Sequence, residues 1–138
     1  MAQFNNALYT GTVRTTGGRD GASRSSDGRL DITLSTPGSA GPGTNPEQLL
    51  AAGWSACFIG AMGHAARKMK VALPTDTANE LGIDLCFREG QYFLQARHNV
   101  SVPGLEPEVA RALVDAAHET CPYSKSLRAN ISVEINLV

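Results

Sequence analysis

The chain has 138 residues, 42% hydrophobic and 18% charged, with a formal net charge of −1. That length suits a single domain able to bury about 68–70% of the surface its unfolded chain exposes. Near-neutral charge removes the electrostatic basis for binding nucleic acid or an anionic membrane.

The first residues, Met1–Gly11, lack the basic and apolar regions of a signal peptide, so a cytoplasmic protein is expected. Residues 7–18 carry Leu, Tyr, Thr and Val and end in a glycine pair, which predicts a strand running into a turn at Gly17–Gly21. A short polar strand, Ala22–Ser26, follows. Asp27-Gly28 then signals a hairpin, after which Leu30, Ile32 and Leu34 alternate with Asp31, Thr33 and Ser35 as on a half-buried strand. The first third is thus a β-meander. Pro37–Gly43 is a Gly/Pro/Ser linker.

The stretch Thr44–Lys70 predicts a long helix, with Asn45 as cap and Pro46 at the first helical position. Lys68 and Lys70 close it, as the negative end of a helix dipole prefers. No charged side chain occurs between Leu49 and Ala66, a run close to membrane-spanning length. It contains Ala51, Ala52, Gly53, Ala56, Gly60, Gly63 and His64, however, and a buried core helix is the expectation. Its small residues Ala52, Ala56, Gly60 and Gly63 would let another backbone approach, which points to a homodimer.

After a connector at Val71–Thr77, residues 79–89 and 91–102 read as two strands joined at Glu89-Gly90. Pro107–Thr120 is a second helix, with Val109, Leu113, Ala116, Ala117 and Thr120 expected inward and Glu108, Arg111, Asp115 and Glu119 outward. Cys121-Pro122 ends it, a helical turn at Tyr123–Leu127 follows, and Ala129–Val138 closes as a strand. The order βββ-α-ββ-α-β, with hairpins and no βαβ alternation, predicts one α+β domain over residues 1–138 with antiparallel sheet.

The three cysteines are far apart and form no CxxC or CxxH pair, so neither a disulfide framework nor a metal site is expected. Unpaired cysteines in a reducing compartment serve packing or chemistry. Cys57, in the middle of the long helix beside Trp54, Phe58 and Ile59, is the candidate nucleophile. Cys121, at a helix end before proline, stands where a thiol can be exposed and adjustable. Arg19, among three glycines, could hold a thiolate below its ordinary pKa of about 8.5. Glu47, in the first turn of the long helix, could hold that guanidinium by a bidentate contact. Ten residues separate Glu47 from Cys57, about 15 Å along a helix, so Arg19 is expected to reach both only across a dimer interface or in some states. Cys86 reads as packing in a strand. His64, His98 and His118 read as structural.

Taken together, Tyr9-Thr10-Gly11, Gly18-Arg19-Asp20-Gly21, Gly43–Leu49, Ala51-Ala52-Gly53, Ser55–Phe58 and Cys121-Pro122-Tyr123-Ser124 resemble the organic hydroperoxide resistance branch of the Ohr/OsmC superfamily in order and spacing. Leu50 and Trp54 depart from it, standing where that family often has Phe and Tyr. The resemblance implies an intertwined homodimer with antiparallel sheets around a long central helix. It implies a thiol peroxidase with peroxidatic Cys57, resolving Cys121, and Arg19 with Glu47 as the activating pair. Alkyl and fatty-acid hydroperoxides would be the substrates, and dihydrolipoamide on lipoylated proteins the external reductant, with no bound cofactor or metal. Leu49, Leu50, Trp54 and Phe58 would form the apolar substrate pocket. Two other readings use the same residues differently: a thiol–disulfide sensor without peroxidase turnover, and a module binding small hydrophobic ligands.

Overall fold

A computed structural model of the protein describes residues 6–138; the reading of residues 1–5 lies outside them. The chain divides into two compact units, 1–46 and 47–138.

The first unit is a three-stranded antiparallel meander of β1 (Val13–Thr16), β2 (Ala22–Ser25) and β3 (Asp31–Thr33). β1 is shorter than the predicted 7–18. Its ladder with β2 covers only Val13–Thr16 against Ala22–Ser25, and a strand ends where its partner does. Between them Gly18–Asp20 forms one 3₁₀ turn. That turn needs glycine at its ends: Gly17 has φ 74°, and a Cβ on Gly21 would lie 1.7 Å from the Thr16 carbonyl oxygen. Asp20 fastens the turn from below, accepting hydrogen bonds from the Thr36 N–H (3.0 Å) and the Thr36 hydroxyl (2.8 Å). Both bonds hold its carboxyl below the ordinary range, the hydroxyl contributing more.

In the second unit α1 (Pro46–Met69) runs without a break for 24 residues. Its end is a Schellman motif, with Lys70 at φ 59°, the Val71 N–H on the Ala66 carbonyl and the Lys70 N–H on that of Arg67. A three-stranded sheet, ordered β4-β5-β6, supplies the second layer, from β4 (Ala78–Arg88), β5 (Gln91–Ser101) and β6 (Ser132–Leu137). Glu89 and Gly90 both have positive φ, 52° and 80°, the conformation that matches a two-residue turn to the twist of its strands. On that hairpin Arg97 donates to both carboxylate oxygens of Asp84 (2.8 and 3.2 Å), and Gln95 adds a third bond (2.7 Å). The Asp84 carboxyl is pulled down to about 2, chiefly by Arg97.

The α+β class and the long central helix are as expected, but antiparallel pairing throughout is not. β6 pairs in parallel with β5, from Gln95↔Ser132 to Val100↔Leu137. The physical reason is the connection: α2 (Pro107–Thr120) and α3 (Pro122–Leu127) carry the chain back across the sheet before β6 begins, as a parallel pair requires.

The inward face of α2 is also rotated from the predicted one. Ala110, Leu113, Val114 and Ala117 are buried, Val109 and Ala116 are half-buried, and Thr120 is exposed. The predicted outward residues Glu108, Arg111, Asp115 and Glu119 are all exposed. The core of this unit joins that stripe to Trp54, Phe58, Ala61, Met62, Ala65 and Ala66 of α1 and to Ala96, Val100 and Val102 on and beyond β5.

His98 sits in this core with no exposed surface, its ring 4.8 Å from that of Trp54 and 4.8 Å from that of Phe58. Its Nδ1 lies 2.9 Å from the Asn79 amide nitrogen, and its Nε2 has no hydrogen-bond partner among the described residues. Burial, with a smaller push from His118, lowers its pKa from 6.5 to about 4. A depressed imidazole pKa means the unfolded chain takes up the proton first. Stability is therefore complete above pH 6.5 and is lost as pH falls from 6.5 toward 4. Chemical denaturation should show about 2 kcal/mol lost through His98 between pH 7 and 4.5, and His98→Gln should flatten that part of the slope. An unchanged slope in the variant would assign the acid sensitivity elsewhere.

Candidate functional site: two thiols at a helix junction

Pro122 explains where Cys121 lies. A residue before proline is disfavoured in the helical region, and Cys121 is extended at φ −60°, ψ 123°. It both ends α2 and begins α3: its N–H reaches the Ala117 carbonyl (2.8 Å), and its carbonyl accepts from the Lys125 N–H (2.9 Å). This break in the helix turns Cys121 inward at the end of the buried stripe. The expected exposed thiol is thus corrected, for Cys121 is fully buried.

Cys57 faces it from the middle of α1. The Cys121 thiol donates to the Cys57 sulfur across 3.2 Å, and both cysteines are free. Sixty-four residues of sequence separate them, so only the packing of α1 on the α2–α3 junction brings them together. Cys86, the third cysteine, is half-buried in β4 opposite Phe93.

Burial raises the Cys57 pKa above its ordinary value. The Tyr123 backbone opposes this with a hydrogen bond that favours the thiolate. The surroundings of this thiol in its own unit therefore favour the protonated form.

Beside Cys57 opens a cavity of about 580 Å³. Its α1 wall is Cys57, Gly60, Ala61, His64, Ala65 and Lys68, and its other wall is Ala116, Thr120 and Pro122. The α1 residues follow the spacing i, i+3, i+4, i+7, i+8, i+11, one continuous face of a helix. His64 is also 2.8 Å from the Arg67 guanidinium through Nδ1.

None of the four predicted pocket residues lines this cavity. Trp54 and Phe58 belong to the neighbouring face and are wholly buried against His98. Leu49 and Leu50 are half-buried two turns earlier on α1. Glu47 lies in the first turn of α1, ten residues before Cys57 on an unbroken helix, so about 15 Å along its axis. Arg19 is the centre of the 3₁₀ turn in the first unit.

Ser124 acquires a partner that sequence reading missed. Trp54 Nε1–H donates to its hydroxyl across 3.0 Å, and both residues are fully buried. The signal was present in part, since a buried indole N–H seeks an acceptor. Gly53, the preceding residue, lets the Tyr123 ring lie close: a Cβ there would stand 3.0 Å from the Tyr123 hydroxyl oxygen.

Comparison with known proteins places the chain in a family. The OsmC-like protein family matches residues 36–136. The organic hydroperoxide resistance protein of Xanthomonas axonopodis pv. citri is 43% identical over 99% of each chain. Among solved structures, the organic hydroperoxide resistance protein OhrB of Bacillus subtilis superposes with a TM-score of 0.86 at 38% identity, covering 96% of this chain and 100% of that one. The organic hydroperoxide resistance protein OsmC of Legionella pneumophila gives 0.88 at 38% identity, over 96% and 98%. The chain therefore belongs to the OsmC-like family, in its organic hydroperoxide resistance branch.

Proposed function

We propose that the protein is a cysteine-based peroxidase that detoxifies organic hydroperoxides. The names of its relatives support the detoxification, and the 3.2 Å approach of Cys121 to Cys57 carries the assignment of the chemistry. Cys57, as thiolate, attacks the distal oxygen of the peroxide. The O–O bond breaks, the alkoxide leaves and takes a proton as the alcohol, and Cys57 is left as a sulfenic acid. The Cys121 thiol gives up its proton and attacks the Cys57 sulfur, the S–O bond breaks, and the leaving hydroxide takes that proton and departs as water, leaving the disulfide. An external dithiol returns both thiols by exchange and becomes a disulfide itself. Dihydrolipoamide on a lipoylated protein is that dithiol in our reading, with no bound cofactor required.

The protonated preference of Cys57 in its own unit calls for a cation. Arg19 fills that role, with Glu47 orienting its guanidinium, and Arg19→Ala should move the pH midpoint of Cys57 alkylation upward. The protein acts as a homodimer in the reducing cytoplasm. The dimer is supported by the small-residue face of α1: Ala52, Ala56 and Gly60 are exposed, and a Cβ on Gly60 or Gly63 would meet open space. The apolar lining of the cavity, Gly60, Ala61, Ala65, Ala116 and Pro122, favours alkyl over hydrogen peroxide, since each buried CH2 contributes about 0.8 kcal/mol.

The test is a steady-state assay with dihydrolipoamide as the only reductant. The kcat/KM for tert-butyl hydroperoxide should exceed that for hydrogen peroxide at least about tenfold. Intact thiols that consume neither peroxide would instead indicate a redox sensor.

A further inference from the structure

The two sulfurs approach each other through packing, and one buried polar contact lies next to that packing on both sides. Trp54 is three residues before Cys57 on α1, and Ser124 is three residues after Cys121 on α3. Their hydrogen bond, at 3.0 Å, therefore joins the two helices about one turn from each sulfur. The indole is fully buried, and the His98 ring meets it edge to face at 4.8 Å and an interplanar angle of 81°. On the α3 side, the close fit of Tyr123 over Gly53 fixes the same turn against α1. A disulfide needs its sulfurs at about 2.05 Å, whereas the two thiols stand 3.2 Å apart, so about 1 Å of closure separates the reduced pair from the bond.

From this we propose that Trp54 and Ser124 are positioning residues that hold the Cys121 thiol on Cys57 and so set how readily the disulfide forms. The inference rests on the peroxidase reading for its role in turnover: the nearer Cys121 is held, the more Cys57 sulfenic acid condenses with loss of water before a second peroxide oxidises it to sulfinic acid. Neither residue lines the cavity beside Cys57. Loss of their bond should leave the first oxidation of Cys57 unchanged and alter only the second step.

The experiment measures the equilibrium between the Cys57–Cys121 disulfide and the two thiols in dithiothreitol redox buffers, with no peroxide present. Ser124→Ala and Trp54→Phe are compared with the unmodified protein and with Val100→Ala, a truncation of a fully buried side chain in β5 that lowers stability but keeps both members of the Trp54–Ser124 bond. We expect the disulfide to be about tenfold less favoured in both variants, a rise in potential of about 30 mV, with Val100→Ala unmoved. In a single-turnover reaction with tert-butyl hydroperoxide, the sulfinic fraction of Cys57 should rise several-fold in the same two variants.

A dithiol–disulfide equilibrium constant that stays within about twofold of the unmodified protein's in either folded variant overturns the proposal. So does an equal shift in Val100→Ala, which would mark the effect as general loss of packing. If the potential moves but the unmodified protein consumes no hydroperoxide, the positioning role stands and the peroxidase reading fails.

Discussion

Cys57→Ser is expected to lower hydroperoxide turnover by roughly 10³-fold or more, because a hydroxyl at neutral pH supplies almost no anionic nucleophile where a thiol supplies some. The exchange is nearly isosteric at a half-buried position on the cavity wall, so the melting temperature should stay within a few degrees. A dihydrolipoamide-linked assay beside a thermal melt separates the two effects. Normal turnover in the variant would remove Cys57 from the reaction.

The second large effect is that of Cys121→Ser, which should leave the first oxidation intact and stop the cycle after it. With the donor at 3.2 Å gone, the Cys57 sulfenic acid has no neighbouring thiol to condense with, and further peroxide carries it to sulfinic acid. One burst of alcohol per subunit should be followed by loss of activity, with sulfinic Cys57 accumulating. Sustained multiple turnover at the normal rate would show that an outside thiol, and not Cys121, resolves the oxidised sulfur.

Much of this arrangement is legible in the residues. Glu89-Gly90 marks the hairpin because only a turn with two positive φ values suits it. Pro46 and Pro107 mark helix starts, and Pro122 forces the break that gives Cys121 its place. These are local effects, and local effects survive in a single sequence. What was lost depends on contacts between distant segments. The direction of β6 follows from how α2 and α3 cross the sheet, which alternation of Ile131, Val133, Ile135 and Leu137 cannot report. The inward stripe of α2 came out rotated because alanines at 110, 112, 116 and 117 make two adjacent faces almost equally apolar. On a helix as uniformly apolar as α1, the bulky residues Trp54 and Phe58 take the core face, while Gly60, Ala61 and Ala65 line the cavity beside Cys57.

Chemistry showed the same division. Sequence could mark Cys57 and Cys121 as unusual, but their proximity is a property of packing across sixty-four residues. His98 looked isolated in a strand; its partners Asn79, Trp54 and Phe58 lie on two other elements. Ser124 was legible only as part of a motif, and its partner Trp54, seventy positions earlier, was not.

The most direct measurement is to treat the reduced protein with one equivalent of an alkyl hydroperoxide and map its cysteines by mass spectrometry of a non-reduced digest. The account predicts one equivalent of alcohol and a peptide pair joined through Cys57 and Cys121, with Cys86 still a free thiol. Alcohol release with Cys57 and Cys121 left unjoined, or a bond through Cys86 in their place, would contradict it.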